Sequence, residues 1–161
     1  LYFCQACREV LEGRMQTRSL WEYLDGDADF AVPDYSGLRV NLQDCWRDRA
    51  HPEIHEAVRS LLHKMHVEVV ELARNREKAD FCGNLHAEPK APALRAQVAA
   101  QGDKPIWEMP AALETAIMRE QAEKITERLA VTYCNRCTQG LRTGGAEAVH
   151  LLELLMGTVD L

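Results

Sequence analysis

The stretch LAVTYCNRC, Leu129 to Cys137, joins a short apolar segment to a Cys-x-x-Cys motif. A short run rich in Val, Leu or aromatic residues that ends at a polar turn is typical of a buried β-strand, and we predict a strand over Leu129 to Tyr133. A less apolar segment, Lys78 to Phe81, leads directly into Cys82 and is predicted as a further strand. Three other segments share the pattern of an apolar run followed by a cysteine or a polar break: Leu1 to Phe3, Leu38 to Leu42 and Val67 to Leu72.

Helical patterns occupy the intervening segments. From Pro52 to His66, apolar residues recur at positions that form one stripe on a helix, and a proline is tolerated in the first helical turn. The Ala/Pro-rich stretch from Pro89 to Pro110 is interpreted as an insertion or lid, residues 89–110, that contains one of the shorter helices. The other predicted helices are Gln16 to Leu24, Pro92 to Gln101, Ala111 to Leu129 and Gly145 to Met156.

Strands that alternate with helices predict an α/β fold, in which a mostly parallel sheet carries helices on both faces. The 161 residues are enough for a single compact domain that spans 1–161. Ligands of such sheets bind outside the carboxyl ends of the strands. Because each cysteine follows a predicted strand, we expect the thiols to lie at that edge.

The composition excludes several classes of function. The 47% hydrophobic and 27% charged residues are typical of a soluble globular protein. A net charge of -6 argues against a nucleic-acid partner, which requires a basic surface. No apolar run approaches the roughly 20 residues of a membrane span, and no secretory leader is recognisable, so we expect a cytoplasmic protein.

The chain has six cysteines and shows no sign of export, which favours metal or redox chemistry over a disulfide framework. A Cys-x-x-Cys turn directs two thiolates at one ion, and two further thiols complete a tetrahedral site. The predicted ligands are Cys45, Cys82, Cys134 and Cys137. Four thiolates suit Zn(II) and an iron–sulfur cluster alike. The alternative is that Cys45 and Cys82 are buried as small apolar residues.

A thioredoxin-like dithiol is a further alternative for a Cys-x-x-Cys motif, and it requires a helix that begins at the motif. Thr138 to Gly145 contains three glycines and no apolar periodicity, so no helix is predicted to begin at Cys134. For Cys4 and Cys7 the dithiol stays open, because a helix can begin near Arg8. These two cysteines and His86 are secondary candidates for metal binding.

The order of these segments resembles a known family. GLRVNLQDCWR, VEVVELARNREKADFCG and LAVTYCNRC are similar to the cysteine-rich Cys-Cys-Gly domain of heterodisulfide reductases and of the iron–sulfur subunits of glycolate and lactate oxidases. In that family the domain usually occurs as two copies and binds iron–sulfur clusters or zinc. The resemblance covers Gly37 to Leu141 and implies that Cys45, Cys82, Cys134 and Cys137 are the ligands. Residues 1–11 resemble the Cys-x-x-Cys segment that closes a preceding repeat.

Two positions depart from the family pattern. Phe81 replaces the first cysteine of Cys-Cys-Gly, and Gln43 stands where the family often has a histidine before the first ligand. The family's five thiols are thereby reduced to four, which favours zinc or a plain cluster.

Three functions are consistent with the sequence. The first is a metal or iron–sulfur module for electron transfer or thiol/disulfide chemistry, a component of an oxidoreductase complex whose partners are other subunits or a second copy of the chain. The second is a structural zinc domain that mediates an interaction without redox activity. The third is a thiol oxidoreductase that uses Cys4 and Cys7.

Overall fold

Four parallel strands form a sheet, and seven α-helices flank it in the part of the chain that the structure describes. The computed structural model describes Leu1 and residues 5–159. The strands are β1 (Arg39–Gln43), β2 (Glu68–Glu71), β3 (Leu129–Thr132) and β4 (Ala148–His150). The helices are α1 (Gln5–Leu11), α2 (Leu20–Gly26), α3 (Pro52–Lys64), α4 (Pro92–Ala99), α5 (Ala111–Ala122), α6 (Asn135–Gly144) and α7 (Leu151–Leu155), and 3₁₀ turns cover Trp46–Asp48, Arg76–Lys78 and Ile106–Glu108.

The sheet has the order β2-β1-β3-β4, and every neighbouring pair is parallel. The chain moves from β1 to β2 in one direction along the sheet and from β3 to β4 in the other. Since parallel crossovers are right-handed, helices of opposite crossovers cover opposite faces. In agreement, α2 packs against α3 and α5 packs against α6. The structure therefore confirms the predicted α/β class with a parallel sheet between two helical layers.

The core lies between the sheet and these layers. All four residues of β3 are buried, as expected for a central strand covered on both faces. The apolar stripe of α3, which includes Val58 and Leu61, is fully buried against the sheet. This helix ends at Lys64 rather than at His66, because His66 adopts a left-handed backbone conformation (φ 57°) that interrupts the helix.

The prediction that no helix begins at the second Cys-x-x-Cys motif is wrong. Helix α6 begins at Asn135, directly after Cys134. Gly140 and Gly144 face α5, where an added Cβ would lie within 2.9 Å of Met118 in both cases. Gly145 ends the helix in a left-handed conformation (φ 96°). The glycines thus allow close helix packing and a C-cap, and they do not break the helix.

Two other predictions are corrected at strands. Lys78 to Phe81 is not a strand, since a 3₁₀ turn covers Arg76–Lys78 and Phe81 forms only an isolated bridge with Ala87. Gly145 to Met156 is not one helix, because Ala148–His150 pairs with β3 and only Leu151–Leu155 is helical. A buried strand directly followed by a helix reproduces the apolar spacing of a longer helix.

The remaining differences concern element ends. The helix predicted to reach Leu129 stops at Ala122, and Leu129 begins β3. The helix predicted over Gln16 to Leu24 begins at Leu20, where Ser19 Oγ accepts a hydrogen bond from the Trp21 amide. The strand predicted over Leu1 to Phe3 lies largely outside the described residues.

Residues 89–110 contain α4 and the last 3₁₀ turn. Leu94, Ile106 and Met109 of this segment are buried in the common core, so it packs onto the domain. Whether it is an insertion stays a prediction. Across the described part of the chain, no helix is long and apolar enough to cross a membrane.

Candidate metal centre

Four cysteine side chains meet at the carboxyl edge of the sheet. The Sγ atoms of Cys45, Cys82, Cys134 and Cys137 all lie within 4.8 Å of one another. Cys82 Sγ is 3.4 Å from Cys45 Sγ and 3.8 Å from Cys134 Sγ. The structure thus brings together the four cysteines that the sequence analysis grouped, and their role as ligands stays a prediction.

The register of the sheet places two of these cysteines side by side. Gln43 of β1 is paired with Thr132 of β3. Cys45 and Cys134 each follow two residues later, so the two chain segments leave the sheet next to each other. The direction of the crossovers reverses between β1 and β3, which makes this edge the topological switch point where ligands of open α/β sheets bind.

A tight turn places Cys82 against the Cys-x-x-Cys loop. The Cys82 amide donates a hydrogen bond to the carbonyl of His86 (2.7 Å). Gly83 has a φ of 55°, and an added Cβ would lie 2.0 Å from the carbonyl oxygen of Arg136. Only glycine permits this contact. Gly83 therefore has a physical reason to follow Cys82, because it lets two cysteine-bearing loops touch.

The four cysteines are buried, and the pKa values of Cys45, Cys134 and Cys137 shift in different directions. Cys82 and Cys137 are fully buried, and Cys134 is the most exposed at 7%. Hydrogen bonds from the Cys137, Cys45 and Cys82 thiols lower the pKa of Cys134. The hydrogen bond to Cys134 raises the pKa of Cys45, and burial raises the pKa of Cys137. A bound cation is what allows such crowded thiols to ionise together.

A polar network that the sequence analysis missed supports the Cys45 loop. The Tyr133 hydroxyl accepts a hydrogen bond from the Cys45 amide (3.3 Å) and donates one to Asp44 (3.1 Å). The buried Asp44 carboxylate also pairs with Arg59 at 2.7 Å. Asp44 precedes Cys45 and Tyr133 precedes Cys134, so adjacency to a candidate ligand was the one signal available in the sequence.

Asp48 is a second group that sequence reasoning missed. It lies in the 3₁₀ turn after Cys45 and is buried. Burial, the Cys134 thiolate and the Asp44 carboxylate together raise the pKa of Asp48 to about 7. A large share of this carboxyl group is thereby protonated near neutral pH, beside a site that concentrates negative charge.

Two of the three secondary candidates, Cys7 and His86, lie outside the group of four sulfurs. His86 stacks on Trp46 with 4.0 Å between ring centroids, and its Nε2 is 3.4 Å from Glu88. Cys7, in α1, is half-buried and packs against the core. Cys4 lies outside the described residues. The helix expected near Arg8 is present as α1.

Both departures from the resembled family have structural roles. Phe81 is fully buried, and its ring lies where a Cβ on Gly140 would be 2.7 Å away. Gln43 is buried and connects the sheet to α5, since it accepts a hydrogen bond from Gln121 Nε2. Neither side chain belongs to the sulfur group.

Comparison of the chain with protein-family models, with curated proteins and with solved structures finds no match.

Proposed function

We propose that the chain is a metal-binding module in which Cys45, Cys82, Cys134 and Cys137 bind a single Zn(II) ion. The observation that carries this proposal is the mutual distance of the four sulfurs, at most 4.8 Å. For a tetrahedral ion with Zn–S bonds of about 2.3 Å, ligand sulfurs lie about 3.8 Å apart. The two measured separations, 3.4 and 3.8 Å, are close to that value.

The compactness of the group favours one ion over a cluster. In a four-iron cluster each thiolate binds its own iron, which holds the ligand sulfurs farther apart than a single ion does. Four thiolates around one ion with no open position are typical of structural zinc sites. The burial of all four cysteines supports such a closed site.

The proposed role of the ion is to fasten three strand-end loops into one surface. Cys45, Cys82 and the Cys134–Cys137 turn come from separate loops, and the ion would hold them in a fixed arrangement. Such a module would act as an interaction domain, with a second copy of the chain or a subunit of an oxidoreductase complex as its partner. A cytoplasmic location is part of the same proposal.

The second candidate is electron transfer through iron. Two features support it. The order Cys45, Cys82-Gly83 and Cys134-x-x-Cys137 resembles that of the Cys-Cys-Gly domain. The four cysteines also lie together, at the switch point of the sheet. Iron bound by the same four thiolates would be shielded from water, which suits a redox centre. Phe81 occupies the core where the family has its extra cysteine, which argues against a five-thiolate cluster.

Metal analysis of anaerobically purified protein tests both candidates. We expect colourless protein with about one equivalent of zinc, whereas visible absorption with bound iron would favour the second candidate. Removal of the ion by a chelator should lower the free energy of unfolding by about 2.7 kcal/mol relative to protein at free zinc near 100 times the Kd.

Two serine variants make the test specific. Cys45→Ser should reduce the bound zinc and abolish most of the stabilisation by zinc. Cys7→Ser, which changes a cysteine outside the sulfur group, should retain both. Zinc binding that survives in Cys45→Ser but not in Cys7→Ser would show that the site is built from other residues.

A further inference from the structure

A cavity of about 350 Å³ lies between the sheet and the end of α5. It opens where β2 ends at Glu71 and is bounded by Leu72 to Arg74, by Asp80 and by Lys124. Its size is at the lower end of the range for small-molecule sites. Its position at the carboxyl end of a parallel strand is where α/β sheets bind ligands.

The cavity is lined by charged side chains of both signs. Three cations line it, namely Arg74, Lys90 and Lys124. Of its two carboxylates, Glu71 is held by Arg59 through two contacts of 2.7 and 2.8 Å. Lys124 donates a hydrogen bond to Gln121 Oε1 (2.6 Å), and no carboxylate within residues 5–159 forms an ion pair with it. This ammonium is therefore placed to bind an anionic group.

A buried acceptor provides the second contact. Asp80 is 2% exposed, and its Oδ2 lies 2.8 Å from Arg74 Nε and 3.5 Å from Lys90 Nζ. Among the described residues, neither Oδ1 nor Oδ2 of Asp80 has a hydrogen-bond partner, and only Oδ2 is compensated by ion pairs. A buried carboxylate oxygen without a donor is costly, and a hydroxyl group of a ligand would satisfy it.

The cavity is connected to the metal centre through hydrogen bonds. Lys124 bonds to Gln121, whose amide nitrogen donates to Gln43 Oε1, and Gln43 Nε2 donates to the carbonyl of Asp44 (2.7 Å). Asp44 directly precedes Cys45. On the opposite wall, Asp80 is two residues before Cys82. Two of the three loops of the metal centre are thus linked to the walls of the cavity.

From these observations we propose that the cavity binds a small organic anion that carries a hydroxyl group. Lys124 binds the anionic group, since Arg74 and Lys90 are paired with Asp80 and Glu88, and Asp80 Oδ1 accepts a hydrogen bond from the hydroxyl. A carboxylate and a phosphate monoester share this chemistry. The proposal does not depend on which metal the cysteines bind.

Calorimetric titration of the whole chain, as purified, tests the proposal with four probes. Glycerate and glycerol 3-phosphate carry both required groups, propionate lacks the hydroxyl, and glycerol lacks the charge. We expect saturable binding of at least one of the first two, about tenfold or more tighter than that of propionate or glycerol. The preference between glycerate and glycerol 3-phosphate identifies the anionic group.

Substitutions assign the binding to the cavity. Lys124→Met should weaken binding of the preferred probe about tenfold or more, whereas Lys104→Met, at an exposed lysine that does not line the cavity, should not change it. Asp80→Asn should reduce the preference for the hydroxylated probe. Circular dichroism establishes whether each variant folds. If Asp80→Asn does not fold, Lys124→Met still tests the proposal. Absence of saturable binding, or equal affinities of the wild type and Lys124→Met, would overturn the proposal.

Discussion

Cys45 is positioned at the candidate metal centre by a hydrogen bond of its backbone amide as well as by its place after β1. Its amide donates to the Tyr133 hydroxyl, and that hydroxyl donates to Asp44, which Arg59 holds through an ion pair. Groups that orient a metal ligand in this way commonly affect metal affinity nearly as much as the ligands do. At the scale of single residues, the candidate centre therefore includes Asp44, Arg59 and Tyr133 as well as the four cysteines.

Tyr133→Phe tests whether this hydrogen-bond network supports metal binding. The change removes one acceptor for a buried amide and one donor to a buried carboxylate, so the Cys45 loop loses its orientation. We expect zinc affinity to fall by about tenfold or more, as measured by competition with a chromogenic chelator. Tyr35→Phe is the matched control, since its hydroxyl bonds to the Leu154 carbonyl away from the sulfurs. An unchanged affinity in Tyr133→Phe would contradict a supporting role.

Helix α6 shows how one element serves both packing and the site. Its first residues follow Cys134 and place Cys137 in the opening turn, while its glycines let it approach α5 closely. An added Cβ on Gly144 would lie 2.3 Å from the carbonyl oxygen of Met118 and 2.8 Å from Ala122 Cβ. The position of α6, and with it the Cys-x-x-Cys turn, depends on these small residues.

Gly144→Ala should therefore destabilise the protein despite the higher helix propensity of alanine. The helices must separate to admit the methyl group, and overpacking of this kind typically costs about 1–3 kcal/mol. Urea unfolding monitored by circular dichroism measures the change. Gly26→Ala, at the end of α2 where the nearest atom is the Arg18 guanidinium at 3.4 Å, should change stability by less than about 1 kcal/mol. Equal effects of the two substitutions would refute close packing as the reason for Gly144.

At the scale of the whole molecule, folding buries a histidine as well as the thiols. His55, on α3, is buried, and its Nε2 has no hydrogen-bond partner within the described residues. Burial lowers the pKa of His55. Below about pH 6.5 the unfolded chain binds a proton at this histidine that the folded chain binds less readily, so stability falls as the pH decreases from that value.

His55→Leu should reduce this loss of stability on acidification. The free energy of unfolding, measured by urea titration at pH 7.5, 6.5 and 5.5 at one zinc concentration, should decrease less in the variant than in the wild type. Leucine retains the apolar volume and has no proton to bind. His63→Leu, at an exposed position on the same helix, is the control substitution. A slope equal to that of the wild type in His55→Leu would contradict the prediction.

The patterns most accessible from sequence were long or strongly periodic. The stripe on α3 and the strand segments before Cys45 and Cys134 sufficed for the α/β class and for the grouping of four cysteines. β4 was missed because three buried residues beside a helix imitate helical spacing. α6 was missed because Gly140 and Gly144 are helix breakers by propensity, and only contact with α5 explains their use.

The sequence by itself determined the alternation of strands and helices and the position of Cys45 and Cys134 just after apolar strands, since both depend on residues close together in the chain. Only the tertiary structure decided that Cys45 and Cys134 leave adjacent strands in register, that Gly83 rests on the Cys-x-x-Cys turn, and that Tyr133 supports Cys45. These contacts join residues about 50 to 90 positions apart, and strand order, register and helix packing create them.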